Sequence, residues 1–225
     1  MQVMQALLTQ LLKHPASKVG VFLLLLMPAM WLLLQIVFLP QQLGADPAKV
    51  LVDQTGEWAI QSLWLALTIT PLRILTGVSQ WIRYRRMVGL FAFFYSLLHI
   101  LAYSVLLIGL DLGQLINDLT KRPYIIVGAI AFVAYLPLVI TSTQSWQRKL
   151  KRHWVQLHRV VYLIAILALL HLTWLKKVGL YDSWPYLLIL VLLFGLRIRE
   201  KLRKTPKKAP KRPKTCKKQT LDRFF

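Results

Sequence analysis

The chain has 225 residues, of which 56% are hydrophobic and only 16% are charged, and its mean hydropathy is +0.53. The apolar residues form long blocks rather than amphipathic stripes, which excludes a soluble globular domain and indicates an integral membrane protein. The net charge of +21 lies at the ends of these blocks and in the C-terminal segment, without a recognition motif, so we expect no nucleic-acid partner. The single cysteine, Cys216, excludes an internal disulfide and a cysteine-ligated iron–sulfur site.

Six apolar segments are long enough to cross the hydrocarbon core of a bilayer, which is about 30 Å thick and needs about 20 helical residues. In chain order they are 19–39, 57–77, 88–109, 123–141, 155–175 and 184–198. The sequence therefore predicts an all-α membrane protein, built as a six-helix transmembrane bundle that lies in the lipid bilayer.

The chain divides into three parts around this bundle. Residues 1–18 form an N-terminal segment, residues 19–200 form the membrane domain, and residues 201–225 form a basic tail. The tail is rich in Lys and Pro and poor in apolar residues, so we expect it to be disordered.

Basic residues are distributed unequally between the two sides of the bundle. Of the 29 Lys and Arg residues, 24 fall on the side that carries both termini. The positive-inside rule places that side in the cytoplasm. The segments 40–56, 110–122 and 176–183 then lie on the opposite side.

Three of the five histidines, His99, His158 and His171, lie within the apolar segments. An imidazole is costly to leave unpaired in hydrocarbon, so each is a candidate functional group, and neutral imidazole is a common axial ligand of haem iron. The third and fifth segments run in the same direction, which places His99 and His171 at about the same depth, far from the cytoplasmic side. A planar macrocycle between two helices needs one axial ligand from each helix at matching height.

Near the cytoplasmic side, His158 has Arg85 at the same depth on the third segment. Arg85 and His99 are fourteen residues apart, which brings them within about 40° of one helical face. His158 and His171 are thirteen residues apart, which places them about 140° apart around an ideal helix. Either the helix is locally distorted, or the two histidines face cofactors on different sides of it.

Four stretches of the chain resemble one known family. They are LGADPAK after the first segment, LTITPLR at the end of the second, RYRRMVGLFAFFYSLLH in the third, and TSTQSWQRKLKRHWVQLHRVVYL before and within the fifth. With the histidine pattern, they resemble the transmembrane domain of ferric reductases and NADPH oxidases over residues 20–200. Within that family the chain is similar to the haem-binding membrane subunits of bacterial methionine sulfoxide reductase systems.

The resemblance implies b-type haem between the third and fifth helices. His99 and His171 would ligate a periplasmic-side haem, and His158 a cytoplasmic-side one. Arg85 stands where the family has another histidine, and a guanidinium is a poor iron ligand because it stays protonated. Arg85 would instead pair with a haem propionate or a flavin phosphate, so we expect one haem and allow two. The family also implies FMN, with its phosphate held by the cytoplasmic basic loops.

By the same resemblance the chain is a non-catalytic electron-transfer subunit of the bacterial inner membrane. Membrane quinol or a cytoplasmic flavin reductase would deliver electrons near Arg85, His158 and the loop 142–153. A periplasmic molybdopterin enzyme would accept them and reduce methionine sulfoxide in oxidised periplasmic proteins.

Two other functions are compatible with intramembrane histidines. A transporter with a histidine relay is disfavoured because acidic residues are nearly absent from the segments, Glu57 and Asp111 lying at segment ends. Such a transporter would be colourless when purified and would carry ions across the membrane of liposomes. A membrane anchor or assembly factor without a redox role would keep full function when the histidines are replaced.

Overall fold

The computed structural model describes residues 2–175 and 184–204, and every regular element in these residues is helical. The α-helices are α1 (Gln2–Lys13), α2 (Pro15–Phe38), α3 (Pro47–Thr76), α4 (Ile82–Ala102), α5 (Leu112–Lys121), α6 (Pro123–Ile140), α7 (Gln144–Leu150), α8 (Arg152–Leu157), α9 (Val160–Leu175) and α10 (Trp184–Lys204). Short 3₁₀ turns cover Pro40–Leu43 and Ser79–Trp81, and a π-helical turn, Tyr103–Leu107, continues α4. The all-α class is thus confirmed for the described residues.

Five segments of the described residues are long and apolar enough to cross a membrane. They are α2, α3, Ser79–Leu107, α6 and Arg152–Leu175. The apolar part of α10, Trp184–Leu196, is shorter than these five, so the sixth crossing stays a prediction. Residues 176–183 and the predicted tail beyond Lys204, with Cys216, lie outside the described residues.

The second membrane helix begins well before its apolar block. The sequence predicted 57 as its start, whereas α3 begins at Pro47. The carboxylate of Asp46 caps the helix by accepting the backbone N–H of Lys49 at 3.1 Å, and proline is favoured at a first helical position. Most of the predicted external segment 40–56 is therefore helix.

Three other segments outside the predicted spans also contain helices. These are α1 within 1–18, α5 within 110–122 and α7 within 142–153. Asp111 caps α5 by accepting the N–H groups of Gly113 and Gln114 at 2.7 and 3.2 Å. Hydropathy cannot reveal such helices, because they are too polar to cross the hydrocarbon.

Helix α3 forms the centre of the bundle. It is the most buried of the five spans and packs along α4, while α6 packs along α9. Ala92 and Ala165 are completely enclosed, so the helices approach closely at these small side chains. The indole N–H of Trp64 donates to the backbone carbonyl of Tyr186 at 3.2 Å and ties α10 to this centre.

Two buried tyrosines offer a matched test of this packing. Tyr95 donates its hydroxyl to the Leu25 carbonyl at 2.6 Å, whereas the Tyr135 hydroxyl has no partner among the described residues. We expect Tyr95→Phe to lower the free energy of unfolding in detergent by about 1 kcal/mol, because the α2–α4 bond is lost. Tyr135→Phe should leave it unchanged or raise it. Equal losses in the two variants would contradict this account.

Candidate functional site

His99 on α4 and His171 on α9 lie side by side, and we call them the histidine pair. Their ring centres are 6.3 Å apart and their ring planes are nearly perpendicular, at 83°. Both side chains are half-buried between the helices. The structure therefore brings together the two histidines for which the sequence predicted a matching depth.

Each imidazole of the pair is held by a backbone carbonyl of a neighbouring helix. The Nδ1 atom of His99 lies 2.9 Å from the Val52 carbonyl of α3, and that of His171 lies 2.6 Å from the Tyr124 carbonyl of α6. A carbonyl oxygen can only accept, so Nδ1 carries the proton in both rings. The Nε2 lone pair of each neutral ring is then the one left for a metal.

A glycine lies under each of these rings. A Cβ built on Gly56 would lie 3.0 Å from Nδ1 and Cε1 of His99. A Cβ built on Gly128 would lie 2.8 and 2.9 Å from Nδ1 and Cε1 of His171. Each ring thus occupies the space that a side chain at position 56 or 128 would fill.

The spacing of the pair fits two axial ligands of one iron. Two metal–nitrogen bonds of about 2.0 Å, with about 1.1 Å from each nitrogen to its ring centre, separate the ring centres by about 6.2 Å. The observed distance is 6.3 Å. Within the described ranges no third His, Cys, Asp or Glu completes a metal-binding group, and a haem needs only two protein ligands because its macrocycle supplies the rest.

His158 is held in a different way. It lies between α8 and α9, where the helix is interrupted, and its Nε2 is 3.2 Å from the Thr141 hydroxyl. That hydroxyl already donates its proton to the Pro137 carbonyl at 2.6 Å, so it accepts from His158 and Nε2 is protonated. The nitrogen that is free in the histidine pair is therefore occupied in His158.

Two further contacts surround His158. Trp154 stacks on its ring at 4.1 Å between centres and donates its indole N–H to the Thr141 carbonyl at 2.9 Å. Arg85 of α4 is the charged side chain whose field acts on the imidazole. That Arg85 is the counterpart of His158 at the same depth stays a prediction. The interruption of the helix is one of the two solutions left open for the angle between His158 and His171.

A polar cluster next to the histidine pair was missed from the sequence. The Tyr103 hydroxyl donates to Oδ2 of Asp118 at 2.6 Å, and Nε of Arg122 lies 3.5 Å from Oδ1. Tyr124 and Asp118 raise the pKa of Arg122, which therefore stays cationic. Asp118 is only 6% exposed. In the sequence, the one indication of this cluster was the i,i+4 spacing of Asp118 and Arg122, which is typical of an ion pair on a helix. We call Tyr103, Asp118 and Arg122 the outer cluster.

The other two histidines are remote from the pair. His14 caps α2 by accepting the Ala16 N–H at 3.2 Å, and His153 is exposed at the start of α8. Within the described part of the chain, neither ring contacts a backbone carbonyl of a neighbouring helix and a glycine beneath it, as the rings of His99 and His171 do.

Comparison with known proteins gives a consistent relationship. Residues 55–169 match the family described as ferric reductase like transmembrane component. The protein-methionine-sulfoxide reductase heme-binding subunit MsrQ of Xanthomonas axonopodis pv. citri is 47% identical over 160 residues, which are 71% of this chain and 73% of the relative. The protein of the same name from Polaromonas naphthalenivorans is 41% identical over 190 residues, 83% and 86% of the two chains. No solved structure matches the chain.

The contact between His158 and Thr141 predicts a structural role for that hydroxyl. Thr141→Val should lower the free energy of unfolding by about 1–3 kcal/mol, because the half-buried Nε2–H of His158 loses its acceptor. Thr68→Val is the matched control, since among the described residues the Thr68 hydroxyl bonds just the Trp64 carbonyl of its own helix, at 2.8 Å. Thermal unfolding in detergent measures both, and an equal effect of the two substitutions would be against this role.

Proposed function

Because the chain belongs to the ferric reductase-like transmembrane family and, within it, to the MsrQ heme-binding subunits, we propose that it is a haem b electron-transfer subunit of the bacterial inner membrane. It would pass respiratory-chain electrons to a periplasmic molybdopterin enzyme. That partner would reduce methionine sulfoxide in oxidised periplasmic proteins. The subunit itself carries out no substrate chemistry.

The observation that carries this proposal is the geometry of the histidine pair. Two neutral imidazoles each donate Nδ1–H to a carbonyl and keep Nε2 free, and their ring centres lie at the separation expected for two ligands of one iron. Bound there, haem would supply a one-electron carrier inside the membrane. The residues of the chain hold it, fix the tautomers of its ligands and keep it in an apolar setting that helps to set its potential.

At the other end of the third and fifth helices, Arg85 and His158 form the proposed electron-entry side. The guanidinium of Arg85 suits an anionic group, either a haem propionate or the phosphate of FMN. Membrane quinol or a cytoplasmic flavin reductase would deliver electrons there. The Thr141 bond to Nε2 of His158 favours a single haem at the histidine pair.

The outer cluster marks the proposed exit side. Tyr103 follows His99 by one helical turn, and Arg122 comes two residues before Tyr124, whose carbonyl holds His171. These residues hold α5 against the end of the bundle that carries the histidine pair. A periplasmic partner would dock on the segments 40–56 and 110–122, together with 176–183, which lies outside the described residues.

Haem content tests the ligand assignment. His99→Ala and His171→Ala should each remove the haem of the pair, whereas His158→Ala should retain it. A pyridine haemochrome assay on purified protein measures the ratio, and one b-type haem per wild-type chain is expected. Full haem content in both His99→Ala and His171→Ala would sink the proposal.

Reporter fusions test the proposed orientation. Green fluorescent protein fused after Phe225 should fluoresce, because that end lies in the cytoplasm. Alkaline phosphatase inserted within α5 should be active, and the same enzyme inserted within α7 should be inactive as the control. Phosphatase activity at α7 but not at α5 would mean that the bundle is inverted.

A further inference from the structure

The two histidines of the pair are held by the same local arrangement on two different helix pairs. Each lies 47 residues after the residue whose carbonyl accepts its Nδ1–H, Val52 for His99 and Tyr124 for His171. In each case the glycine under the ring, Gly56 or Gly128, comes one helical turn after that residue. The packing of α3 with α4 is thus repeated, at this level, by the packing of α6 with α9.

Helix geometry explains why a glycine stands at this position. In an α-helix each Cα–Cβ bond tilts toward the N-terminus, so the side chain of one residue covers the turn before it. A side chain at position 56 would therefore cover the Val52 carbonyl, and one at position 128 would cover the Tyr124 carbonyl. Without a side chain there, the imidazole can lie flat against the helix and reach the carbonyl.

The space left for each ring is tight enough to restrict its rotation. The Cβ of an alanine at 128 would lie only 2.8 Å from Nδ1 of His171, so the ring would have to move. The contact at Gly56 is slightly looser, at 3.0 Å. The hydrogen bond fixes the direction of Nδ1 and the glycine contact fixes the face of the ring, so together they set its plane. The two planes so defined meet at 83°.

The angle between the planes of the two axial ligands affects the electronic structure of a haem, because it sets the relative energies of two iron d orbitals. The π orbitals of each imidazole interact with the iron d orbital that lies perpendicular to its ring plane. Parallel rings act on the same d orbital and separate two of them in energy, whereas perpendicular rings act on both and leave them nearly equal. A ferric low-spin haem with perpendicular rings therefore has a highly anisotropic EPR spectrum, and one with parallel rings has an ordinary rhombic spectrum.

We propose that Gly56 and Gly128 are positioning residues that hold the imidazoles of His99 and His171 perpendicular to each other, so that the ferric haem between them gives a highly anisotropic low-spin EPR signal. The inference rests on the proposed haem-binding function. It concerns how the ligands are oriented, which a haem-binding role alone does not determine.

The experiment is low-temperature EPR of the full chain, purified in detergent and oxidised, with haem content measured on the same samples. The variants are Gly56→Ala and Gly128→Ala, and His99→Ala identifies which signal belongs to the pair. Gly89→Ala in α4 and Gly20→Ala in α2 are matched controls, since a Cβ at either position would meet nothing within 4 Å. All four glycine variants add the same methyl group to a helix.

We expect the wild-type chain to give the anisotropic signal and His99→Ala to lose it. In Gly56→Ala and Gly128→Ala a rhombic low-spin or a high-spin signal should replace it, with haem held about 10–100-fold less tightly. The effect should be larger for Gly128→Ala, where the contact is closer. Gly89→Ala and Gly20→Ala should keep both the wild-type signal and the wild-type haem content.

Two results would overturn the inference while leaving haem binding intact. One is a haem-loaded wild-type chain whose signal, assigned to the pair, is rhombic. The other is an unchanged signal in both Gly56→Ala and Gly128→Ala. If Gly128→Ala does not fold, the wild-type spectrum and the milder Gly56→Ala variant still decide the question. A wild-type chain without haem would refute the proposed function itself.

Discussion

The site depends on one kind of interaction, the hydrogen bond from an imidazole Nδ1–H to a backbone carbonyl inside the membrane domain. His99 makes it to Val52 and His171 makes it to Tyr124. A polar ring that lacked this bond would be costly to bury in an apolar bundle. The same bond fixes the tautomer, and so it decides which nitrogen remains for a metal. The tautomer of each ring and the direction of its Nδ1 follow from these two contacts, and the glycines beneath the rings complete the geometry.

His158 has the opposite tautomer to the histidine pair, with its proton on Nε2. Its Nε2–H is bound by Thr141, at a point where the fifth membrane helix is interrupted between α8 and α9. Arg85 adds a permanent positive charge that acts on this imidazole, and not a second imidazole. The two ends of the third and fifth helices are therefore chemically different. One end carries two imidazoles whose Nε2 atoms are free, and the other carries an imidazole whose Nε2 is bonded to Thr141.

Spacing along the chain was enough to predict which histidines meet. His99 and His171 have equal depths because helical rise is fixed at 1.5 Å per residue, and any parallel packing of their two helices preserves that match. Spacing could not predict Gly56 and Gly128 as their partners. These glycines lie on α3 and α6, and which faces of those helices turn toward the histidines is decided by packing between helices.

Other features were hidden from the sequence for physical reasons that differ from case to case. The start of α3 at Pro47 depends on the cap from Asp46, which lies outside the apolar block that marks the span. Asp118 looked like an ordinary charge in a connection, because its burial against Tyr103 exists only once α5 folds back on the bundle. A distortion of the fifth helix was one of two alternatives for the angle between His158 and His171, and the helix is interrupted between α8 and α9.

The most direct test of the account is the position of the iron. Crystals of the haem-loaded chain, measured with X-rays at the iron absorption edge, would reveal it as an anomalous peak. We predict a peak between His99 and His171, within about 2.0 Å of both Nε2 atoms. A peak bonded to only one of these two nitrogens, or found only beside His158, would contradict the account.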